Sequence, residues 1–307
     1  MMRSGRVITV FGARGNIGKT VLATNLAVAI AQETGQRVAL ADLHLRFGDV
    51  AILLDLPVER SISDLALSEH ELTADALTSC LHTYRTGIRV LPAPIKPSDW
   101  RHISTKHVER IVSLLSETHD YVVLDTGSVP CDEIMASALK GADVTLLVTT
   151  AHEASLNDAS RLMNIMRSWG FDAGGPKPVL VATNEATELE VEDVERALGL
   201  QIVCSVPYDR NISAAIRLGT PVVASHPHSS ASESIVALAR TLARPDHLKS
   251  PIAEQMDPPI STMKRLVCLF LGHDWELGWA GPVVPFYVLA GRPPDRMCRR
   301  CSKVELA

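Results

Sequence analysis

The sequence predicts an α/β fold: a doubly wound, mainly parallel sheet, then a linker and a small C-terminal module. Three observations carry this. Short β-type apolar runs alternate with helical stretches up to about Arg244, the pattern of strands joined by crossover helices. The first unit, Val7–Ala29, passes from an apolar strand through a glycine-bearing turn into an Ala/Leu/Val-rich helix. Beyond Arg244 the alternation stops, and Pro245, Pro251, Pro258 and Pro259 mark a linker. The boundaries therefore fall at 1–244, 245–262 and 263–307.

Each element has its own local reason. Val7–Phe11 is the first strand, and the helix after the turn covers about Thr20–Glu33, ended by Gly35. Arg37–Ala41 is the second strand, closing on Asp42. Ile62–Leu67 and Thr73–Leu81 read as helices, and Ile88–Leu91 as a strand stopped by Pro92 and Pro94. Ser104–Glu117 is an amphipathic helix leading into the fully apolar strand Tyr121–Leu124, which ends at Asp125. Glu133–Leu139, Val144–Thr150 and Ala154–Trp169 continue the alternation. Val179–Ala182 is a strand before Thr183–Asn184, Val191–Leu198 a helix, and Ile202–Val206 a strand before Pro207. Helices Ile212–Leu218 and Ser232–Leu242 finish the domain, with no internal repeat.

At 307 residues and 46% hydrophobic, the chain can bury a sizeable core. Aromatics are 4%, so that core is mostly Ala, Leu, Val and Ile. A net charge of −5 argues against a surface that coats nucleic acid. No apolar run approaches the roughly 20 residues a membrane span needs, and Val7–Phe11 runs into its loop without a small-residue cleavage site. The expectation is a cytoplasmic protein whose six cysteines are reduced or metal-bound.

The turn after the first strand carries Gly15, Asn16, Ile17, Gly18, Lys19, Thr20 and Val21. This approaches the phosphate-loop pattern G-x-x-x-x-G-K-[ST], with Ala13 at the leading glycine and Gly12 beside it. Small residues let backbone N–H groups reach phosphate oxygens, the lysine reaches the outer phosphates, and the hydroxyl completes a Mg²⁺ shell. Lys19 and Thr20 fill the last two roles. Functional residue types also stand at the ends of other strands: Asp42, Asp125, Asn184 and Pro207. In open parallel sheets that is where ligands bind. Asp125 after Tyr-Val-Val-Leu has the form of a Walker B acid ordering Mg²⁺ beside Thr20.

The stretches ALADLHLRFGDVAILLDLPVERSISDL, DYVVLDTG, DEIMASALKGADVTLLVTT and SAAIRLGTPVV carry a family likeness. Residues 6–244 resemble the MinD/ParA group of P-loop ATPases, and within it the CpaE/TadZ pilus-assembly ATPases. Relatives of that type usually carry a receiver-like domain ahead of the ATPase, whereas here the ATPase starts at residue 6. The resemblance implies an ATP·Mg²⁺ site, an ATP-dependent homodimer and pilus or secretion proteins as partners. It implies that Arg14 stands for the group's signature lysine, which crosses the dimer to the partner's nucleotide, with Asn16 at the second glycine. It also implies an adenine pocket from Asn184, Pro207, Tyr208 and Asp209. Asn184 followed by Glu185 is not the guanine-reading pattern, so ATP is favoured; taken alone, Asn184 also suits an ordinary turn. The group has Asp-x-Asp after the second strand, where the second Asp positions the attacking water. Here Asp42-Leu43-His44 stands there, so hydrolysis is expected to be slow or lost. The catalytic set is then Lys19, Arg14, Asp42, His44 and Asp125, with Thr20, Asp42 and Asp125 around Mg²⁺.

The tail has its own chemistry. Cys268-x4-His273, a 24-residue gap and Cys298-x2-Cys301 offer three thiolates and an imidazole to tetrahedral Zn²⁺. A module this small needs metal to supply its folding energy. The alternative is a free-thiol tail with Leu266–Leu271 as a membrane-surface helix. Seven basic residues against four acidic ones give the tail +3, a charge that suits DNA, an acidic membrane surface or an acidic protein. Elsewhere Cys80, Cys131 and Cys204 are expected as small buried hydrophobes, and His102, His107 and His119 as solvent-facing. His226 and His228 lie in a loop rich in Pro and Ser.

Together these features predict a positional-switch ATPase of weak turnover, cytoplasmic and recruited to a pole or the inner membrane face. Two rivals stand beside it: a nucleotide-binding scaffold with little or no hydrolysis, and a DNA-partitioning ATPase.

Overall fold

A computed structural model describes residues 5–68, 71–127, 133–171, 175–184 and 189–243, together with 296–297 and 304–305. The chain divides into two compact units, Met1–Lys249 and Ser250–Ala307. In the second, Arg296–Met297 and Val304–Glu305 are described as an antiparallel pair, Met297 opposite Val304. Cys268, His273, Cys298 and Cys301 lie outside the described residues.

In chain order the first unit contains β1 (Arg6–Phe11), α1 (Lys19–Thr34), β2 (Val38–Leu43), α2 (Val50–Leu53), α3 (Ile62–Leu67), α4 (Ala74–Cys80), β3 (His82–Thr83) and β4 (Arg89–Leu91). A 3₁₀ turn at Pro97–His102 leads to α5 (Thr105–Thr118), β5 (Tyr121–Thr126), α6 (Glu133–Lys140), β6 (Val144–Thr149) and α7 (Glu153–Ser168). The remainder is β7 (Lys177–Val181), α8 (Val191–Leu198), β8 (Cys204–Val206), α9 (Arg210–Arg217), α10 (Val222–Ser225) and α11 (Ser230–Ala243). The sheet order is β3-β4-β2-β5-β1-β6-β7-β8. Every neighbouring pair is parallel except β3 with β4.

β1 sits at the centre with β5 on one side and β6 on the other. Helices cover both faces, which is why these strands are continuous apolar runs without alternation. On one face α1, buried from Leu22 to Ile30, packs with Ile235, Leu238 and Leu242 of α11. On the other, Val108, Ile111 and Leu115 of α5 and Leu65 of α3 cover β2 and β4, while Leu156, Leu162 and Met166 of α7 cover β6 and β7.

Local chemistry fixes the ends of these elements. Gly35 closes α1 at φ 65°, with its N–H on Ala31 O at 2.9 Å. Ser61 and Asp64 form a reciprocal cap on α3. Ser104 caps α5 in the same way, with the His107 ring accepting from the Ser104 N–H at 3.2 Å. His119 departs from the solvent-facing expectation: it is buried, with Nδ1 3.2 Å from Leu115 O. Burial is the main force holding its pKa below the ordinary value.

Two strands run further than the sequence suggests. β2 continues through Asp42 to Leu43, and β5 through Asp125 to Thr126. Each supplies the other's ladder there, with Asp42 opposite Asp125 and Leu43 opposite Thr126. Both acids therefore stand within strands, side by side on one face of the sheet. Periodicity also missed α2, α10, β3 and the 3₁₀ turn, all too short to carry a repeat. α10 is held instead from afar, by Val223 N donating to Asn25 Oδ1 at 3.1 Å.

Candidate functional site

The loop between β1 and α1 opens at the carboxyl edge of the sheet, beside the strand order's reversal around β1. Gly18 precedes the helix at φ 87°, and Asn16 sits at φ 59°. Asn tolerates that left-handed backbone better than most residues with a side chain. No side chain caps α1 and no acid stands in its first turn, so its first N–H groups face outward with the positive end of the helix dipole. Gly12, which the motif does not require, is fixed by crowding. A Cβ there would lie 2.8 Å from Val148 O and 2.9 Å from Ile17 Cδ1. Ile17 is buried in the core and anchors the loop, whereas Arg14, Gly15 and Asn16 are exposed. Val21 is half-buried at the helix start.

Lys19 is buried and donates from Nζ to Arg14 O at 2.7 Å, folding back over the loop. Burial lowers its pKa, and the nearby Asp125 carboxylate opposes that shift. Asp125 is fully buried, and neither oxygen finds a hydrogen-bond partner among the described residues. Burial is the main reason its pKa is pushed up to about 7, while the Thr20 hydroxyl and the Lys19 charge pull the other way. Thr20 thus acts on Asp125 from close by without a hydrogen bond of ordinary geometry.

Asp42, beside Asp125 in the ladder, is spent differently. Its Oδ1 accepts from His44 N at 3.0 Å and its Oδ2 from Val50 N at 3.1 Å. The carboxylate ties down the loop from residue 44 to 50. Burial first, and then the neighbouring Asp125 charge, hold its pKa well above the carboxylate range despite those two amides. Gly48 is obligatory in this loop, because a Cβ there would collide with Asp42 Oδ2 and Ala93 Cβ. His44 is half-buried, edge-on to Phe47 with centroids 6.4 Å apart. The backbone of Gly127, just past β5, runs beside its ring: a Cβ there would lie 3.0 Å from His44 Cδ2.

An unpartnered pair of carboxylate oxygens beside a hydroxyl, a lysine and a second buried acid fits a divalent cation, which would neutralise charges the protein leaves uncompensated. Asp125 and Thr20 fit that ion directly. Asp42 fits less well while both its oxygens hold the loop.

The other expected residues lie around this centre. Arg14 is 44% exposed and pairs with Asp158 of α7, Nη1 to Oδ2 at 3.6 Å. The start of α1 reaches the end of β7, since a Cβ on Gly18 would lie 3.2 Å from Val181 Cγ1. Asn184 is exposed just beyond β7, and Ala182 N donating to Val206 O at 2.9 Å draws the ends of β7 and β8 together. Pro207 and Tyr208 follow β8, Tyr208 being 38% exposed. Asp209 caps α9, with Oδ1 accepting from Asn211 N at 2.9 Å and Oδ2 from Ala231 N at 3.3 Å. Its oxygens are occupied in joining α9 to α11. The structure thus gathers Lys19, Thr20, Asp42 and Asp125 at one point, with His44, Arg14 and Asn184 around it. Sequence reasoning noted Gly12 only as the neighbour of Ala13 and passed over Gly48 and Asp158, whose importance rests on contacts made by distant segments. Among the described residues, no group of three or more His, Cys, Asp or Glu is arranged to hold a metal ion.

A phosphate-sized turn and a helix start at the carboxyl edge of a parallel sheet, facing a buried acid, define a P-loop nucleotide-binding protein. Residues 3–175 match the family described as ParA: NUBPL iron-transfer P-loop NTPase, and the chain belongs to that family. It is 26% identical to an uncharacterised ATP-binding protein of Methanocaldococcus jannaschii over 238 residues, 76% of this chain and 86% of that protein. It is 27% identical to the septum site-determining protein MinD of Thermotoga maritima over 247 residues, 78% and 88% of the two chains. Its fold is similar to that of the septum site-determining protein MinD from Pyrococcus horikoshii, solved with Mg-ADP. The TM-score is 0.69 at 19% identity, covering 81% of this chain and 100% of that one.

Proposed function

We propose that the domain spanning 1–244 binds ATP·Mg²⁺ and uses ATP-dependent homodimerisation as a positional switch for pilus or secretion machinery. The observation that carries the nucleotide site is Asp125, buried and unpartnered beside Lys19 and Thr20. Lys19 moves from Arg14 O onto phosphate, the amides of residues 15–21 cradle the phosphates, and Thr20 and Asp125 hold Mg²⁺. When bound there, a divalent cation would supply charge screening to the phosphates. Asn184, Pro207 and Tyr208 line the adenine side, where Asp209 holds the wall in place. The pilus assignment is supported by the FGDVAILLDL element after β2. The proposed address is the cytoplasm, with recruitment to a pole or the inner membrane face. Among the described residues no helix is long and apolar enough to cross a membrane.

A second reading, a scaffold with little or no turnover, is favoured by His44. It stands where an acid would position water, and an imidazole lacks the fixed negative charge of a carboxylate for that task. A DNA-partitioning role rests only on the basic tail, and salt-sensitive DNA binding would mark it.

In the dimer, Arg14 leaves Asp158 and reaches the partner's phosphates. Arg14→Ala is expected to keep monomer affinity for ATP and to lose most of the dimer, because only the dimer uses that contact. Sedimentation with a non-hydrolysable ATP analogue decides: equal dimer fractions in both proteins would refute the cross-contact.

For the tail, linked through residues 245–262, the proposal is a zinc module of Cys268, His273, Cys298 and Cys301. Metal analysis of the purified full chain is expected to find about one Zn²⁺ per chain, lost in Cys298→Ser. Soft thiolates also suit iron, in line with the family's description. Iron in place of zinc would reassign the tail, and absence of both metals would remove the module.

A further inference from the structure

Two segments that follow β2 and β4 at the carboxyl edge, the second running through the 3₁₀ turn into the start of α5, form a rim of unusual composition. Residues 44–49 and 92–106 carry four cations, Arg46, Lys96, Arg101 and Lys106, against the carboxylates of Asp49 and Asp99. The chain as a whole is −5. All four cations are exposed, and none forms a salt bridge among the described residues. Between them two large apolar side chains stand in solvent, Phe47 at 71% and Ile95 at 55% exposure.

The rim is held in shape rather than loosely draped. Arg46 stacks on the Trp100 ring at 4.1 Å from its centroid. The loop backbone is fastened to Asp42 through His44 N and Val50 N, and Gly48 lies directly against Ala93. Ile62 N donates to Pro92 O at 3.0 Å, fixing where the second loop leaves β4. Phe47 and Ile95 are thus presented outward by a braced frame.

We infer that this rim docks on an anionic lipid bilayer, with Phe47 and Ile95 entering the interface and Arg46, Lys96, Arg101 and Lys106 meeting lipid phosphates. Isolated apolar side chains on loops, each flanked by cations, match the layered chemistry of a membrane surface, where greasy carbon lies just beneath negative charge. A peptide ligand calls for a groove, and the two cavities described around Asn25 and around Phe171 lie elsewhere. A single-stranded nucleic acid would need a row of aromatic faces on which successive bases stack, whereas the Arg46 guanidinium lies over Trp100 and leaves Phe47 as the single largely exposed Phe, Tyr or Trp ring of the rim. The inference does not depend on nucleotide binding, since none of the side chains it places on lipid is assigned to phosphate or Mg²⁺.

The test is co-sedimentation of the full-length protein with phosphatidylglycerol-containing vesicles and with vesicles of phosphatidylcholine alone. The wild type is expected to bind the first and not the second, with binding weakened by salt. The double variant Phe47→Ser/Ile95→Ser should lose about tenfold or more in vesicle affinity, through lost apolar burial. Lys96→Glu/Arg101→Glu should lose at least about tenfold through charge. Thermal melting of both variants should stay close to wild type, because all four side chains are exposed. Failure of the wild type to bind anionic vesicles overturns the inference. So does binding by both variants equal to wild type, which would place any lipid contact elsewhere in the chain.

Discussion

Lys19→Ala is expected to abolish the thermal stabilisation that ATP·Mg²⁺ gives the wild type. A ligand that binds only the native state stabilises it by mass action, about 2.7 kcal/mol at a hundredfold excess over Kd. For a domain of this size that is a shift of roughly 5–10 °C in Tm. The structure explains why the loss should be clean. Lys19 is buried, its charged form is disfavoured by burial, and it lies folded onto Arg14 O. Replacing it removes an awkwardly buried cation, so the nucleotide-free protein should melt near the wild-type temperature. What disappears is the group proposed to reach the phosphates. Scanning calorimetry with and without nucleotide measures both quantities, and an undiminished ATP shift in Lys19→Ala would dismiss the P-loop assignment.

The second large effect concerns pH. Asp125 is pushed from an ordinary 3.8 up to about 7 by burial. The native chain therefore holds this proton more tightly than the unfolded chain does. Between about pH 4 and 7 folding takes a proton up, so stability falls as pH rises through that window. The contribution is complete below about pH 4 and gone above about 7. At about 1.4 kcal/mol per pKa unit it is of the order of 4 kcal/mol, an upper figure because Lys19 shares the pocket. Asp42, also raised, adds to the same slope.

Asp125→Asn should flatten much of this decline, because an amide carries no charge to desolvate. It should also lose the Mg²⁺-dependent part of nucleotide stabilisation. His119 works in the opposite sense. Its lowered pKa makes its contribution present above about 6.5 and lost on acidification below it. That limb is common to both proteins and cancels in their difference. Urea midpoints across pH 4–8, without nucleotide, give the comparison. Superimposable curves for wild type and Asp125→Asn would show that Asp125 is not the buried acid described here.

Much of the fold was legible because its signals are local. A strand, a turn and a helix written in Val7–Ala29 need no distant partner to be recognised, and Ile62–Leu67 and Val191–Leu198 match their observed helices end for end. Short elements were not legible. α10 is four residues long and is held by Asn25 from another helix. By sequence the two acid-bearing strands close on Asp42 and Asp125, because a polar residue in an apolar run looks like a terminus. Each strand in fact continues because the other supplies its hydrogen bonds.

The sequence by itself determined that Lys19 and Thr20 open a helix after a glycine turn, and that Asp125 follows an apolar strand. Backbone spacing sets those relations, and residues a few positions apart cannot separate. Only the tertiary structure decided that Asp42 lies beside Asp125, that Asp42 binds its loop, and that Arg14 meets Asp158. Those contacts follow from the order of strands in the sheet, which chain periodicity does not encode. Burial did the rest: two carboxylates placed together inside a parallel sheet, away from water, have their proton affinities raised by the fold.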